Sequence, residues 1–303
     1  MGLDITKYYP FTGRYFDLDG LALHYLDEGS GEPVVMLHGN PSWSFYYRNL
    51  VTALAGRYRC IVPDHIGCGF SAKPGDNRYD YTLRQRVDDL QRLLDHLGIN
   101  GGITLVLHDW GGMIGMAYAV RHRSRIKRLV ILNTAAFHLP KEKRFPFALR
   151  LCRDTRLGAL LVRGLNAFSL AASFVGCKAN PMSKDMRRAY RLPYDTWQNR
   201  IATLRFVQDI PLVPGDRGYD LVSNVDAGLA AFSDLPTAIF WGEKDFVFDT
   251  HFLAEWERRF PRAEVHRYAH AGHYILEDMK EEVIPLIAGF LARTDGREQS
   301  DKP

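Results

Sequence analysis

The chain has 303 residues, 46% of them hydrophobic, with 39 Lys and Arg against 35 Asp and Glu and a formal net charge of +4. That length suits one large core, or a core with a lid, and so small a charge argues against a nucleic-acid binder working by bulk electrostatics. The four cysteines (Cys60, Cys68, Cys152, Cys177) show neither C-x-x-C pairing nor metal-ligand spacing, so we read them as reduced core or loop thiols and expect no metal and no cofactor.

Met1 to Tyr9 carries no apolar signal-like stretch, and no apolar run approaches membrane-spanning length, so a soluble, cytoplasmic protein is expected. Arg14–Leu18 and Leu21–Leu26 predict a short hairpin around Asp19-Gly20. Pro33–Leu37 reads as a buried strand ending in the turn His38-Gly39-Asn40-Pro41, and Trp43–Ala55 as a helix. Cys60–Pro63 is the next strand, followed by a glycine-punctuated loop from Asp64 to Ser71. Leu83–Leu97 has helical spacing of Leu and Val. A further strand is predicted at Arg128–Leu132, ending Asn133-Thr134-Ala135-Ala136-Phe137. Strands alternating with helices predict a mostly parallel sheet covered on both faces.

That alternation stops from about Phe137 to about Ala230, where the chain turns helical, aromatic and basic. Residues 138–200 hold 13 Lys and Arg against four Asp and Glu, an excess of nine, which leaves the rest of the chain net acidic. Such an insertion after a strand end would lie over the site as a lid. Its arginines read either as a solvated helix face or as a surface for an acidic protein partner or an anionic membrane. The pattern resumes with a strand at Pro236–Trp241, a helix at Phe252–Phe260, a strand at Glu264–Arg267 and a closing helix at Ile275–Leu291. Arg293 to Pro303 is polar and expected to fray.

The chemistry centres on Leu105-Val106-Leu107-His108-Asp109-Trp110-Gly111-Gly112. Apolar residues run into a tight turn and then a close-packed helix, which places Asp109 at the apex over the sheet edge. The arrangement resembles the nucleophile elbow of the α/β-hydrolases, G-x-S-x-G, with two departures: Asp109 replaces Ser, and Leu107 stands where the first Gly would be. Asp245 and His273 follow in the order nucleophile, acid, histidine, each just after a predicted strand, where loops at the carboxyl ends of a parallel sheet converge. Taken singly, Asp245 is a turn former and His273 a loop histidine. Jointly they form a set for covalent catalysis, with a carboxylate nucleophile, an imidazole base and an acid fixing its tautomer. A carboxylate suits attack on a saturated carbon that bears a leaving group. The departing anion needs hydrogen-bond donors, for which the Asn40 amide and the Trp110 indole are candidates. His38 and His270 read as structural, and His108 as packing beneath the elbow.

Those residues carry a resemblance. His38-Gly39-Asn40-Pro41, the Asp64–Ser71 loop, His108-Asp109-Trp110-Gly111-Gly112 and Gly272-His273 resemble the haloalkane dehalogenases over nearly the whole chain. The resemblance implies an α/β-hydrolase fold: a mostly parallel eight-stranded sheet with helices on both faces, a core at residues 1–136 and 231–303, and a helical cap at 137–230. Asn133, where one branch carries its acid as Glu, points with Asp245 to the third subfamily. Leu160 to Phe168 and Asn133 to Phe137 look like the β-lactone decarboxylases of bacterial long-chain olefin synthesis within it. The implied activity is conversion of long-chain cis-β-lactones to cis-alkenes and CO₂. Phe145, Phe147, Phe168 and Phe174 would shelter the alkyl chains. The alternatives are hydrolytic dehalogenation by the same residues and, third, epoxide hydrolysis. Epoxide hydrolases usually have an aromatic in place of Asn40 and two lid tyrosines, for which Tyr190 and Tyr194 are candidates. A hydrolase fold used only for binding is a further class, told apart by whether Asp109 can be trapped as an adduct. The expected partner is a small apolar substrate, with an assembly of olefin-pathway enzymes implied by the resemblance alone and an oligomer left open.

Overall fold

The computed structural model describes residues 3–295. The hairpin is formed by β1 (Arg14–Leu18) and β2 (Leu21–Glu28), turning at Asp19 and Gly20, which have φ of 53° and 82°. There follow β3 (Pro33–Leu37), α1 (Arg48–Leu54), β4 (Arg59–Pro63), α2 (Leu83–His96), β5 (Ile103–Asp109), α3 (Trp110–Arg121) and β6 (Ile126–Thr134). Six helices come next: α4 (Phe147–Asp154), α5 (Arg156–Leu165), α6 (Ala167–Val175), α7 (Lys184–Arg191), α8 (Ile201–Gln208) and α9 (Tyr219–Gly228). The chain ends with β7 (Thr237–Gly242), α10 (Thr250–Arg259), β8 (Glu264–Tyr268), α11 (Ile275–Asp278) and α12 (Lys280–Thr294).

The strands form an eight-stranded sheet in the order β1-β2-β4-β3-β5-β6-β7-β8. Strand β2 runs antiparallel to β1 and β4, and all pairings from β4 to β8 are parallel. Every residue of β5, β6 and β7 is buried, which is why their central stretches, Leu105–Leu107, Leu129–Leu132 and Ala238–Trp241, read as continuous apolar runs and not as alternations. Side chains still alternate between faces. Leu105 and Leu107 pack with Leu90, Leu93 and Leu94 of α2 on one side. Val106 packs with Leu50 and Val51 of α1 and Ile287 and Leu291 of α12 on the other. Each such Leu or Ile contributes about 1.5–3 kcal/mol by leaving water.

Two expectations need correction. The closing helix is broken at Met279 (φ −130°, ψ 31°), because the side chain before the break is committed elsewhere. The buried Asp278 carboxylate accepts from the backbone N–H groups of Gly272, Lys178 and Asn180 at 2.6, 2.7 and 2.5 Å. The chain around Arg293 is also not frayed. Thr294 is buried, and Asp295 pairs with Arg57 at 2.6 Å and with the fully buried Arg128 at 2.5 Å. Residues 296–303 lie outside the described part, as do Met1 and Gly2. Among the described residues no single helix is long and apolar enough to cross a membrane.

Candidate active site

At the end of β5 the register against β6 slips between His108 and Asp109, so that Asp109 sits opposite Thr134 and Asn133 is left over. Bulges of this kind re-aim a side chain. Asp109 itself takes φ 52°, ψ −126°, a conformation that side-chain-bearing residues rarely adopt and that persists only where the surroundings enforce it. Helix α3 starts at once and lies very close to the sheet. A Cβ on Gly111 would fall 1.9 Å from the Leu37 carbonyl oxygen. The departure at position 107 also has a reason: a Cβ on Gly115 would meet the Leu107 side chain at 2.3 Å. The bulk that a glycine at 107 would have spared is thus accommodated one helical turn along α3.

Asp245, in the loop after β7, and His273, in the loop after β8, meet Asp109 here. His273 Nδ1 donates to Asp245 Oδ2 at 2.7 Å, and its Nε2 lies 3.6 Å from Asp109 Oδ2. The second oxygen, Asp109 Oδ1, accepts from the Asn40 backbone N–H at 2.7 Å. Burial raises the Asp109 carboxyl above its ordinary value, against the opposing pull of His273 and the Asn40 and Trp110 amides. For His273, burial acts downward, but Asp245 and then Asp109 outweigh it and the imidazole is raised. The three groups therefore hold a proton between them more tightly on the imidazole than an isolated histidine would.

The anion donors are arranged less simply than expected. The Asn40 side-chain amide donates to the Thr203 carbonyl of α8 at 3.0 Å, leaving its second N–H for the cavity that Asn40 lines. Trp110 also lines that cavity, and among the described residues its indole N–H has no hydrogen-bond partner. His108 packs under the elbow, stacked on Tyr46 and donating through Nε2 to the His273 carbonyl at 2.9 Å. His38 is fully buried and bonded to its own turn, and His270 is exposed. The four cysteines are unpaired.

Above the carboxylate lies a cavity of about 380 Å³ with almost wholly apolar walls. Phe145, just before α4, and Leu149, Leu151 and Phe168 on the inserted helices line it, with Phe248 from the core. Two of the four phenylalanines assigned to it do not belong. Phe147 and Phe174 do not line the cavity and are 78% and 56% exposed, since the two faces of a short helix cannot both turn inward. Tyr190 and Tyr194 are likewise unavailable to a substrate. Both are buried outside the cavity, with their hydroxyls donating to Glu277 at 2.7 Å and to the Ser42 carbonyl at 2.9 Å. An epoxide would find no tyrosine pair here.

Sequence reasoning missed three supporting groups. Asn133, read only as a subfamily marker, donates to Asp245 Oδ2 at 3.1 Å and to the Gly242 carbonyl at 3.0 Å, and accepts from the Gly242 N–H at 2.8 Å. Asp278 holds the histidine loop. Asp64 accepts from His24, from the Ser44 N–H and from the Phe70 N–H at 2.7, 2.7 and 2.9 Å. Burial would raise its carboxyl, but His24, His38 and these donors hold it well below the ordinary range. Only Asp64 had a signal, as a carboxylate opening a glycine-rich loop.

A profile of the alpha/beta hydrolase fold matches residues 32–279. This chain belongs to the α/β-hydrolases. Within the family it is 61% identical to the cis-3-alkyl-4-alkyloxetan-2-one decarboxylase of Shewanella oneidensis, over 94% of this chain and 90% of that one. It is 53% identical to the decarboxylase of the same name from Xanthomonas campestris pv. campestris, over 94% and 97%. A solved haloalkane dehalogenase from Bradyrhizobium elkani superposes with a TM-score of 0.83 at 28% identity, over 95% of this chain and 99% of that one. The family's lactone decarboxylases and its dehalogenases are thus both relatives, and the decarboxylases are the more similar in sequence.

Proposed function

We propose that this chain is a β-lactone decarboxylase that converts cis-3-alkyl-4-alkyloxetan-2-ones with long alkyl chains to cis-alkenes and CO₂. The observation that carries this reading is the Asp109 carboxylate, aimed into an almost wholly apolar cavity beside His273, in a chain similar to two such decarboxylases over 94% of its length. Asp109 attacks the ring carbon bonded to oxygen, with inversion. The C–O bond of the ring breaks and frees a carboxylate, which the Asn40 amide and the Trp110 indole receive. Next the bond between the neighbouring carbon and that carboxylate breaks to give CO₂. Its electron pair becomes the alkene π bond, and Asp109 leaves from the opposite face. Inversion followed by anti elimination amounts to a syn loss, so a cis-lactone gives a cis-alkene. The carboxylate returns free, and no water enters. In this scheme His273, raised by two carboxylates, steadies the departing Asp109, and Asp245 fixes its tautomer.

Residues 137–230 serve in this reading as a cap that supplies the alkyl-chain wall, on a core of 1–136 and 231–303. We place the protein in the cytoplasm as part of the same proposal, on its four unpaired cysteines. Hydrolytic dehalogenation uses the same residues, and one experiment separates the two. The enzyme is incubated with a synthetic cis-β-lactone, and in parallel with a bromoalkane, in ¹⁸O-labelled water. The proposal expects cis-alkene and CO₂ with no label on Asp109. Labelled alcohol, or label in Asp109 after turnover, overturns it in favour of hydrolysis.

A further inference from the structure

The inserted helices leave in solvent an apolar surface that the reaction does not use. Phe147 is 78% exposed, Leu157 57%, Leu160 55%, Leu165 69% and Phe174 56%. They stand on α4, α5 and α6, and α5 packs against both of the others. None of the five lines the cavity, whereas Ala148, Leu161 and Ala171 on the same three helices do. One side of this helical layer therefore faces the cavity, and on the other these apolar side chains stand largely in solvent among the described residues. Large apolar side chains gathered in this way mark a contact surface.

Charge says what kind of partner fits. Of the 13 Lys and Arg between 138 and 200, only Lys143, Arg153 and Arg188 form ion pairs among the described residues. Arg144, Arg150 and Arg156 are exposed next to Phe147 and Leu157 in the chain and form none. Arg187 lies 4.4 Å over the ring of Phe174. Unmatched cations around exposed Phe and Leu complement an anionic bilayer, the rings and leucines entering the acyl boundary while guanidinium groups meet phosphates. Helices α5 and α6 are apolar and long enough for a membrane span only when taken together, and a 74° bend separates them. That shape suits lying in the interface, not crossing it.

We propose that α4–α6 dock this protein on the surface of an anionic phospholipid bilayer, so that a substrate with apolar chains passes from membrane to cavity without entering bulk water. The docking does not depend on whether the substrate is a lactone or a haloalkane.

The test uses the full chain with phosphatidylcholine vesicles, with and without phosphatidylglycerol, in a sedimentation assay. Binding is expected only with phosphatidylglycerol, weakening as salt rises. Arg150→Gln with Arg156→Gln should weaken it roughly fivefold per charge, and Leu160→Gln with Leu165→Gln should also reduce it. Arg150→Lys with Arg156→Lys should retain it. Circular dichroism and turnover of a water-soluble short-chain substrate establish that each variant is folded. Absence of binding to anionic vesicles by the folded wild-type chain overturns the proposal and leaves the patch to an acidic protein. Equal binding by the glutamine variants also overturns it. A dimer in sedimentation velocity that the Leu160→Gln, Leu165→Gln variant dissolves would assign the surface to a second copy and overturn it likewise.

Discussion

At the carboxyl ends of β5, β7 and β8, each of the three side chains proposed to react is held by a named donor or acceptor. Asp109 has the Asn40 N–H, His273 has Asp245, and Asp245 has Asn133. Five of the six helices between β6 and β7, all but α7, line the same cavity, yet present it with aliphatic and aromatic side chains apart from Cys152. Charge differs in the same way. Core arginines such as Arg59, Arg128, Arg259 and Arg267 are paired with carboxylates, while most cations of residues 138–200 are not. The difference teaches a division of labour: the sheet edge needs sub-ångström placement of polar atoms, whereas a wall for alkyl chains needs only volume and apolarity.

Substitutions on the two sides should therefore fail in different ways. Asp109→Asn should abolish turnover, by on the order of 10⁴-fold or more, with little loss of thermal stability. Alkene release and a melting curve check both halves of that expectation. Trp110→Phe keeps the ring and removes the indole N–H, and should lower kcat by about 10²–10³-fold while KM for a long-chain lactone barely moves.

The pH profile has a sign that tells the two chemistries apart. Because the Asp109 pKa is raised, its carboxylate is lost at a higher pH than usual, and activity should fall as pH drops through that value, about tenfold per unit. His273 is raised too, so its cation persists above the ordinary imidazole range. If the cation steadies the leaving carboxylate, decarboxylation falls as pH rises through that pKa. Hydrolysis, which needs the free base, would rise there instead, so log kcat against pH for the lactone and the bromoalkane decides between them.

Smaller effects sharpen the contrast. Asn133→Ala leaves the buried Asp245 without its amide donor and should cost about 1–3 kcal/mol of stability, with kcat down by about tenfold. Conversely, Leu149→Ala in the wall should raise KM severalfold for long chains and spare kcat, as expected when only uniform binding is lost. A large kcat defect from Leu149→Ala would break the proposed division between the sheet edge and the wall.

Much of the proposed centre's geometry was legible because its signals are local. An apolar run into His108-Asp109-Trp110-Gly111-Gly112 marks a strand, a bend and a close helix whatever the rest of the chain does. Asp245 and His273 stand immediately after strands, where a parallel sheet must bring its loops together. The inserted segment was legible as helical, aromatic and basic, but not in its facing. Phe145 and Phe147 look equivalent in the sequence, and only the packed structure separates the lining ring, just ahead of α4, from the exposed one on its first turn. The same holds for Tyr190 and Tyr194, whose hydroxyls are taken by partners 87 and 152 residues away.

By itself, then, the order of residues determined the fold family, the placing of Asp109 at the bend and that of Asp245 and His273 just after later strands, since strand, turn and helix patterns are written within a few residues. Tertiary structure alone decided the clamp of Asn133 on Asp245, the break at Met279 forced by the bonds of Asp278, and the outward turn of Phe147 and Phe174. Those features depend on which distant backbone groups arrive beside a side chain, and that follows from packing all the elements at once.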